Sequence, residues 1–169
     1  MTASDSQGPR SRRAKVVRVR PAGDDHQVVT THGGPGVYRR EPCDDCPWRK
    51  DAVNVFPAEA FRHSASTAYD AAQETFACHQ SGKEKPALCA GFLLRGAEHN
   101  LSVRIRLMTG DIADDVHDGG HALHDDYRAM AIANGVPPDD PAIAPCRESS
   151  YSERDADPDG DCEEEEGER

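Results

Sequence analysis

Two pairs of cysteines constrain this chain more than any other feature. Cys43 and Cys46 are separated by Asp44 and Asp45, while Cys78 and Cys89 have ten residues between them. The C-x-x-C spacing lets both sulfurs face one ion from a single tight turn, and Pro47 fixes the exit of the chain from that turn. Cys78 and Cys89 can supply two further corners, so the reading is one metal centre held by Cys43, Cys46, Cys78 and Cys89. Four thiolates suit tetrahedral zinc at sulfur distances of roughly 2.3 Å, and they equally suit the four corners of a [4Fe-4S] cluster. The wide second pair departs from the double knuckle of a zinc ribbon. A proline directly after a ligand cysteine, with Trp48 next to it to exclude water, fits a cluster whose potential depends on solvent exposure. Zinc is placed slightly ahead, because it is the commoner occupant of four-cysteine sites. Trp48 and His79 are read as residues that surround the ligands, His79 by donating a hydrogen bond to a neighbouring sulfur.

Cys89, within Leu88-Cys89-Ala90-Gly91-Phe92, taken alone reads as a small buried hydrophobe. Cys43 and Cys46 could form a thiol-disulfide oxidoreductase couple, but the strand-to-helix setting of a thioredoxin-like fold is missing, and Asp44 and Asp45 would raise thiol pKa values. An iron-sulfur redox sensor or electron-transfer protein is the alternative should a cluster be bound. The preferred expectation is a non-enzymatic structural or regulatory module with no catalytic residues. Cys146 and Cys162 are left outside the site.

With 169 residues, 36% hydrophobic and 5% aromatic content, the chain has material for one modest domain with polar flanks. No run approaches the roughly 18 consecutive apolar residues of a membrane span, and no apolar stretch follows the first arginines as a secretion signal would. The expectation is a cytoplasmic protein without membrane contact, whose thiols are kept reduced and therefore point to metal before disulfides. The net charge of -11 is uneven: residues 1–50 carry ten Lys/Arg against six Asp/Glu, and residues 111–169 carry four against nineteen. The acidic end opposes nucleic-acid binding through Arg10, Arg12, Arg13, Lys15, Arg18 and Arg20, and a protein partner is the better expectation.

Composition divides the chain into a basic, largely disordered arm at 1–37, a cysteine-cluster metal-binding domain at 38–147 and an acidic disordered tail at 148–169. In the arm, Val16, Val17 and Val19, then Val28 and Val29, allow two short strands of a hairpin. A helix is expected from Phe56, with Pro57 in its first turn and Glu59 complementing the dipole, fading over Ser64 to Thr67. Thr75 to Ala77 should be extended, and Ala87 to Leu94 a short helix carrying Cys89. Leu101, Val103, Ile105 and Leu107 alternate like a strand, yet Asn100 is a good N-cap and Gly110 a good stop, which tips that segment to helix. Leu123, Tyr127, Met130 and Ala131 follow helical spacing up to Asn134-Gly135. The fold class expected is mainly α, with a small α+β arrangement as the other possibility, stabilised by metal.

His117, His121 and His124 lie among six aspartates between Asp111 and Asp126. Gly119-Gly120 breaks any helix that would align two of them, so a solvated loop is preferred over a second metal site. Phosphate loops, GxSxG elbows and HExxH motifs are absent.

The stretches Pro42-Cys43-Asp44-Asp45-Cys46-Pro47-Trp48-Arg49, Phe76-Ala77-Cys78-His79 and Cys89-Ala90-Gly91-Phe92 resemble a family of small uncharacterised proteins from actinobacteria and their phages. The closing run from Met130-Ala131-Ile132-Ala133-Asn134-Gly135 to Ala144-Pro145-Cys146-Arg147 is similar as well. The resemblance covers roughly residues 41 to 147. It implies that the four cysteines and His79 form one unit and that Cys146 belongs to the edge of the domain, and it implies no reaction or substrate.

Overall fold

The structure is a computed structural model, and it describes residues 15–32 and 37–149. The Val-rich start forms strand β1 (Lys15–Pro21), which turns back as β2 (Gln27–His32). The two pair antiparallel from Lys15 opposite His32 to Pro21 opposite Gln27, with an irregularity between Val16 and Arg18. The hairpin does not stand alone: Thr31 and His32 pair with Thr75 and Glu74 of β3 (Glu74–Thr75), giving a three-stranded antiparallel sheet in the order β1-β2-β3. β-branched side chains at 16, 17, 19, 28, 29, 30 and 31 favour this pleated arrangement.

Helix α1 (Ala58–Ser64) begins directly after Pro57, and Glu59 in its first turn pairs with Arg62 at 3.1 Å and His63 at 3.3 Å. It tightens into a 3-10 turn over Ala65–Ala68. Helix α2 (Ala90–Arg95) is short, and α3 (Leu101–Met108) starts at a fully buried Asn100. The Asn100 side chain accepts from the Val103 N–H at 3.0 Å, and its amide donates to the Thr67 carbonyl at 2.9 Å and the Glu74 carbonyl at 2.8 Å. One capping residue thus ties α3 to the 3-10 turn and to β3. Helix α4 (Tyr127–Ala133) is capped by Asp126, whose carboxylate accepts from Ala129 N–H at 2.7 Å.

The expectation of a mainly α fold is overturned: the described chain mixes a three-stranded antiparallel sheet with four helices of six to eight residues. The helices are short because much of the apolar material lies outside them, in extended segments. Leu123 does not enter α4 but bridges to Arg49, and Ala87–Cys89 precedes α2 as extended chain. The alternating apolar residues of 101–107 do form a helix, yet of these only Val103 is buried, with Leu101, Ile105 and Leu107 on the surface.

The core gathers round Trp48. Its ring meets Tyr127 at 5.8 Å, Phe76 at 6.0 Å and Phe92 at 6.2 Å between centroids. Such edge and tilted pairings are favourable beyond the area they bury. Tyr127 donates to the Phe61 carbonyl at 2.6 Å and sits 2.7 Å from Ser64 Oγ, joining α4 to α1. No helix among the described residues is long and apolar enough to cross a membrane. The acidic run after Ser149, Cys162, the first fourteen residues and the glycines between His32 and Val37 lie outside the described residues.

Candidate metal centre

The site is assembled by extended segments. Leu88 bridges Tyr38 on one side and Ala77 on the other. Cys78 N–H donates to the Ala87 carbonyl at 2.8 Å and Cys89 N–H to the Phe76 carbonyl at 3.0 Å, while Arg39 N–H takes the Leu88 carbonyl at 2.9 Å. This small ladder sets Cys78 and Cys89 on adjoining paired segments and carries the chain from residue 39 towards Cys43. There two consecutive turns follow, Cys46 N–H to Cys43 O and Arg49 N–H to Cys46 O, both at 3.0 Å. The Trp48 carbonyl and Lys50 N–H then anchor the segment to His124 and Ala122, each at 2.9 Å.

The sulfurs meet across long sequence separations. Cys46 Sγ lies 3.6 Å from Cys89 Sγ, and Cys43 Sγ lies 3.8 Å from Cys78 Sγ. The His79 ring nitrogens stand 3.8 and 3.9 Å from Cys43 Sγ. Cys43, Cys78 and His79 present donor atoms that all fall within 4.8 Å of one another, so this Cys-Cys-His cluster could hold a metal ion. All four cysteines carry free thiols, three of them buried and Cys43 half-buried. Around one tetrahedral ion, bonds of roughly 2.3 Å put neighbouring sulfurs about 3.8 Å apart, and the two observed separations fit that spacing pair by pair, but Cys46 and Cys89 fall outside the group formed by Cys43, Cys78 and His79, so the structure does not bring all four sulfurs into one cluster.

Three of the thiols, Cys43, Cys46 and Cys78, are held neutral. Hydrogen bonding to Cys46, together with burial, pushes Cys43 up to about 11 against an opposing hydrogen bond from Cys78. The Cys43 contact pulls Cys46 down, but hydrogen bonding to Cys89 and burial outweigh it and leave Cys46 at about 12. Cys78 is raised further still, by its hydrogen bond to Cys43 and by burial. Main-chain N–H groups nevertheless point at two of the sulfurs, Trp48 at Cys46 and Gln80 at Cys78, each lying two residues beyond its cysteine and each favouring a thiolate. Arg39 adds a cationic donor to Cys78. Burial against the protein lowers the His79 pKa, with Asp45 opposing, so the ring is neutral at pH 7.

Trp48 is completely buried, and its position depends on two glycines that the sequence reading did not single out. A Cβ added at Gly91 would overlap the Trp48 side chain at its near end, and one at Gly96 would overlap the far edge of the indole. The ring therefore lies along α2 where both positions must lack a side chain. The glycine at 91, two residues after Cys89, was the available signal.

The remaining candidates lie elsewhere. Cys146 is buried, its thiol 3.7 Å from the Ala65 carbonyl, and burial pushes it up to about 12. His117 pairs with Glu41 at 3.2 Å, and His124 is buried with its Nε2 unpartnered. Among the described residues, His117, His121 and His124 do not converge on a donor cluster like that of Cys43, Cys78 and His79.

Comparison with known proteins found no curated protein and no solved structure that matches this chain. A model of one protein family does match, over residues 38–147, the span that holds all four cysteines, His79, Trp48 and both ring-cradling glycines. The chain thus belongs to DUF6283, a family of unknown function.

Proposed function

We propose that residues 38–147 form a metal-stabilised structural or regulatory module in which Cys43, Cys46, Cys78 and Cys89 hold one zinc ion. The observation that carries this reading is the pair of sulfur–sulfur separations, 3.6 and 3.8 Å, reached between residues that are 43 and 35 positions apart. A [4Fe-4S] cluster would give each thiolate its own iron and spread the sulfurs more widely than one ion does. Zinc would act by folding energy, cross-linking the Cys43–Cys46 turn to the Leu88 ladder in a domain with short helices and a small core. Trp48 would keep water from the sulfurs, and His79 would hydrogen-bond Cys43 from beside the ion.

The raised thiols speak against the oxidoreductase alternative. With pKa values of about 11 and 12, Cys43 and Cys46 carry almost no thiolate at pH 7, whereas reactive C-x-x-C thiols have depressed values.

Metal analysis and an absorption spectrum of protein purified without oxygen test the proposal. One zinc per chain in a colourless protein is expected, reduced to a small residue by Cys43→Ser or Cys89→Ser. Iron with sulfide, or undiminished zinc in both variants, would refute it. Proton release on zinc binding at pH 7 separates the ligand sets: four cysteine ligands would release close to four protons, while Cys43, Cys78 and neutral His79 would release about two.

A further inference from the structure

Beneath β2 lies a cavity of about 110 Å³ that plays no part in the metal reading. Val28, Val29 and Thr30 of the strand form one wall, and Phe56, Phe61 and Phe76 are among the residues that face it. Short β-branched side chains on the strand cannot reach across to fill the space that the phenylalanines leave. Ala60 from α1 and Ala77 from the segment before Cys78 keep the opening clear, since each contributes only a methyl group.

We infer that this cavity binds a small, uncharged, largely apolar molecule, about the size of one aromatic ring. Its volume is close to the roughly 150 Å³ of an engineered apolar cavity that takes up benzene. Neither Asp, Glu, Lys nor Arg contributes to the lining, so an ion would be desolvated there without a counter-charge. Three of the four hydroxyls on the wall, those of Ser64, Thr67 and Thr75, are already committed within the protein. Ser64 Oγ donates to the Ala60 carbonyl at 2.8 Å and lies 2.7 Å from Tyr127 Oη, and Thr67 Oγ1 donates to the Ser64 carbonyl at 2.8 Å. Thr75 Oγ1 pairs with Thr31 Oγ1 at 3.4 Å.

The titratable side chains in the lining are two imidazoles, His26 and His79, and Phe56 stands between them in edge contact, at 5.6 and 5.0 Å. His79 is also the ring that lies 3.8 Å from Cys43 Sγ. An occupant would therefore touch the imidazole beside the sulfur cluster, while its binding rests on the cavity alone and needs no metal.

Titrating the full chain, as purified, with benzene under amide-resolved NMR tests the inference. Saturable shifts are expected at Val29, Ala60, Thr75 and Ala77, together with a rise in thermal midpoint. Ala60→Phe should fill the space and weaken binding at least tenfold. Ala77→Leu fills it from the opposite side if the first variant does not fold. Shifts that grow linearly without saturation, saturable shifts that map elsewhere, or wild-type affinity in a folded filled variant would each overturn the inference. Zinc content, measured on the same samples, reports separately on the metal proposal.

Discussion

The two sides of the molecule are built on different principles. On the hairpin side, regular backbone pairing does the work: β1 and β2 match over a register from residue 15 to 32, yet their side chains leave a cavity of about 110 Å³ above α1. On the sulfur side, secondary structure is scarce and packing is close. Cys43, Cys46, Cys78 and Cys89 flank turns and isolated bridges, but the adjoining Trp48 is fully buried and Gly91 and Gly96 leave no room for a methyl group. A region with few backbone hydrogen bonds between distant segments gains most from a cross-link, because the link supplies what the ladder does not.

Removing the proposed zinc should break this contrast with the largest effect. Chelation is expected to unfold or loosen the Cys43–Trp48 and Phe76–Phe92 segments, since structural zinc contributes on the order of 10 kcal/mol in small domains. Hydrogen exchange followed before and after chelation checks it. Amide protection should collapse first around Cys46, Cys78 and Cys89 and persist longer in β1 and β2. Uniform loss across both sides would mean that the two form one cooperative unit.

Gly91→Ala probes the close packing without touching a thiol. The added methyl meets the near end of Trp48, buried and wedged against Phe76, Phe92 and Tyr127, so it cannot be relieved by a surface rotamer change. A loss of about 3 kcal/mol in denaturant stability is expected, at the upper end for overpacking. Alanine is otherwise the better helix former, so a stability equal to wild type would show that Trp48 can shift freely.

The sequence disclosed the ingredients of the sulfur side better than its assembly. C-x-x-C spacing pointed to a turn with two sulfurs on one side, and Cys46 N–H to Cys43 O closes such a turn. What brings Cys78 and Cys89 beside it is a main-chain ladder around Leu88, and main-chain pairing at single bridges leaves no side-chain pattern to read. The roles of Gly91 and Gly96 were hidden for a related reason, even though Gly91 lies only two residues after Cys89. Their role depends on an indole more than forty positions away in sequence, so nothing local announces it. Asn100, by contrast, combined a good N-cap with a downstream stop, and α3 begins directly after it. On the hairpin side the valines were a sufficient signal for two strands, but not for the third. β3 is two residues long, too short for any periodicity, and its pairing turns what reads as a mainly α chain into a mixed fold.

The smallest expected effect sharpens the comparison from the hairpin side. Glu74 of β3 accepts from Arg18 at 3.4 Å and from Ser66 Oγ at 3.0 Å, linking the edge strand and the 3-10 turn to the shortest strand. The Arg18 pair is long and half exposed, and such pairs contribute between about 0.2 and 1 kcal/mol. Glu74→Ala should therefore lower global stability by less than about 1 kcal/mol, with part of the loss coming from the Ser66 hydrogen bond. The informative readout is local. If the hairpin is held to the domain mainly through β3, exchange of the amides in β2 should quicken in this variant while those of Cys46 and Cys89 keep their rates. Unchanged exchange in β2 would place the attachment in the apolar contacts of Phe56 and Phe61, and the cavity between them would then be a feature that the hairpin tolerates rather than one that loosens its hold.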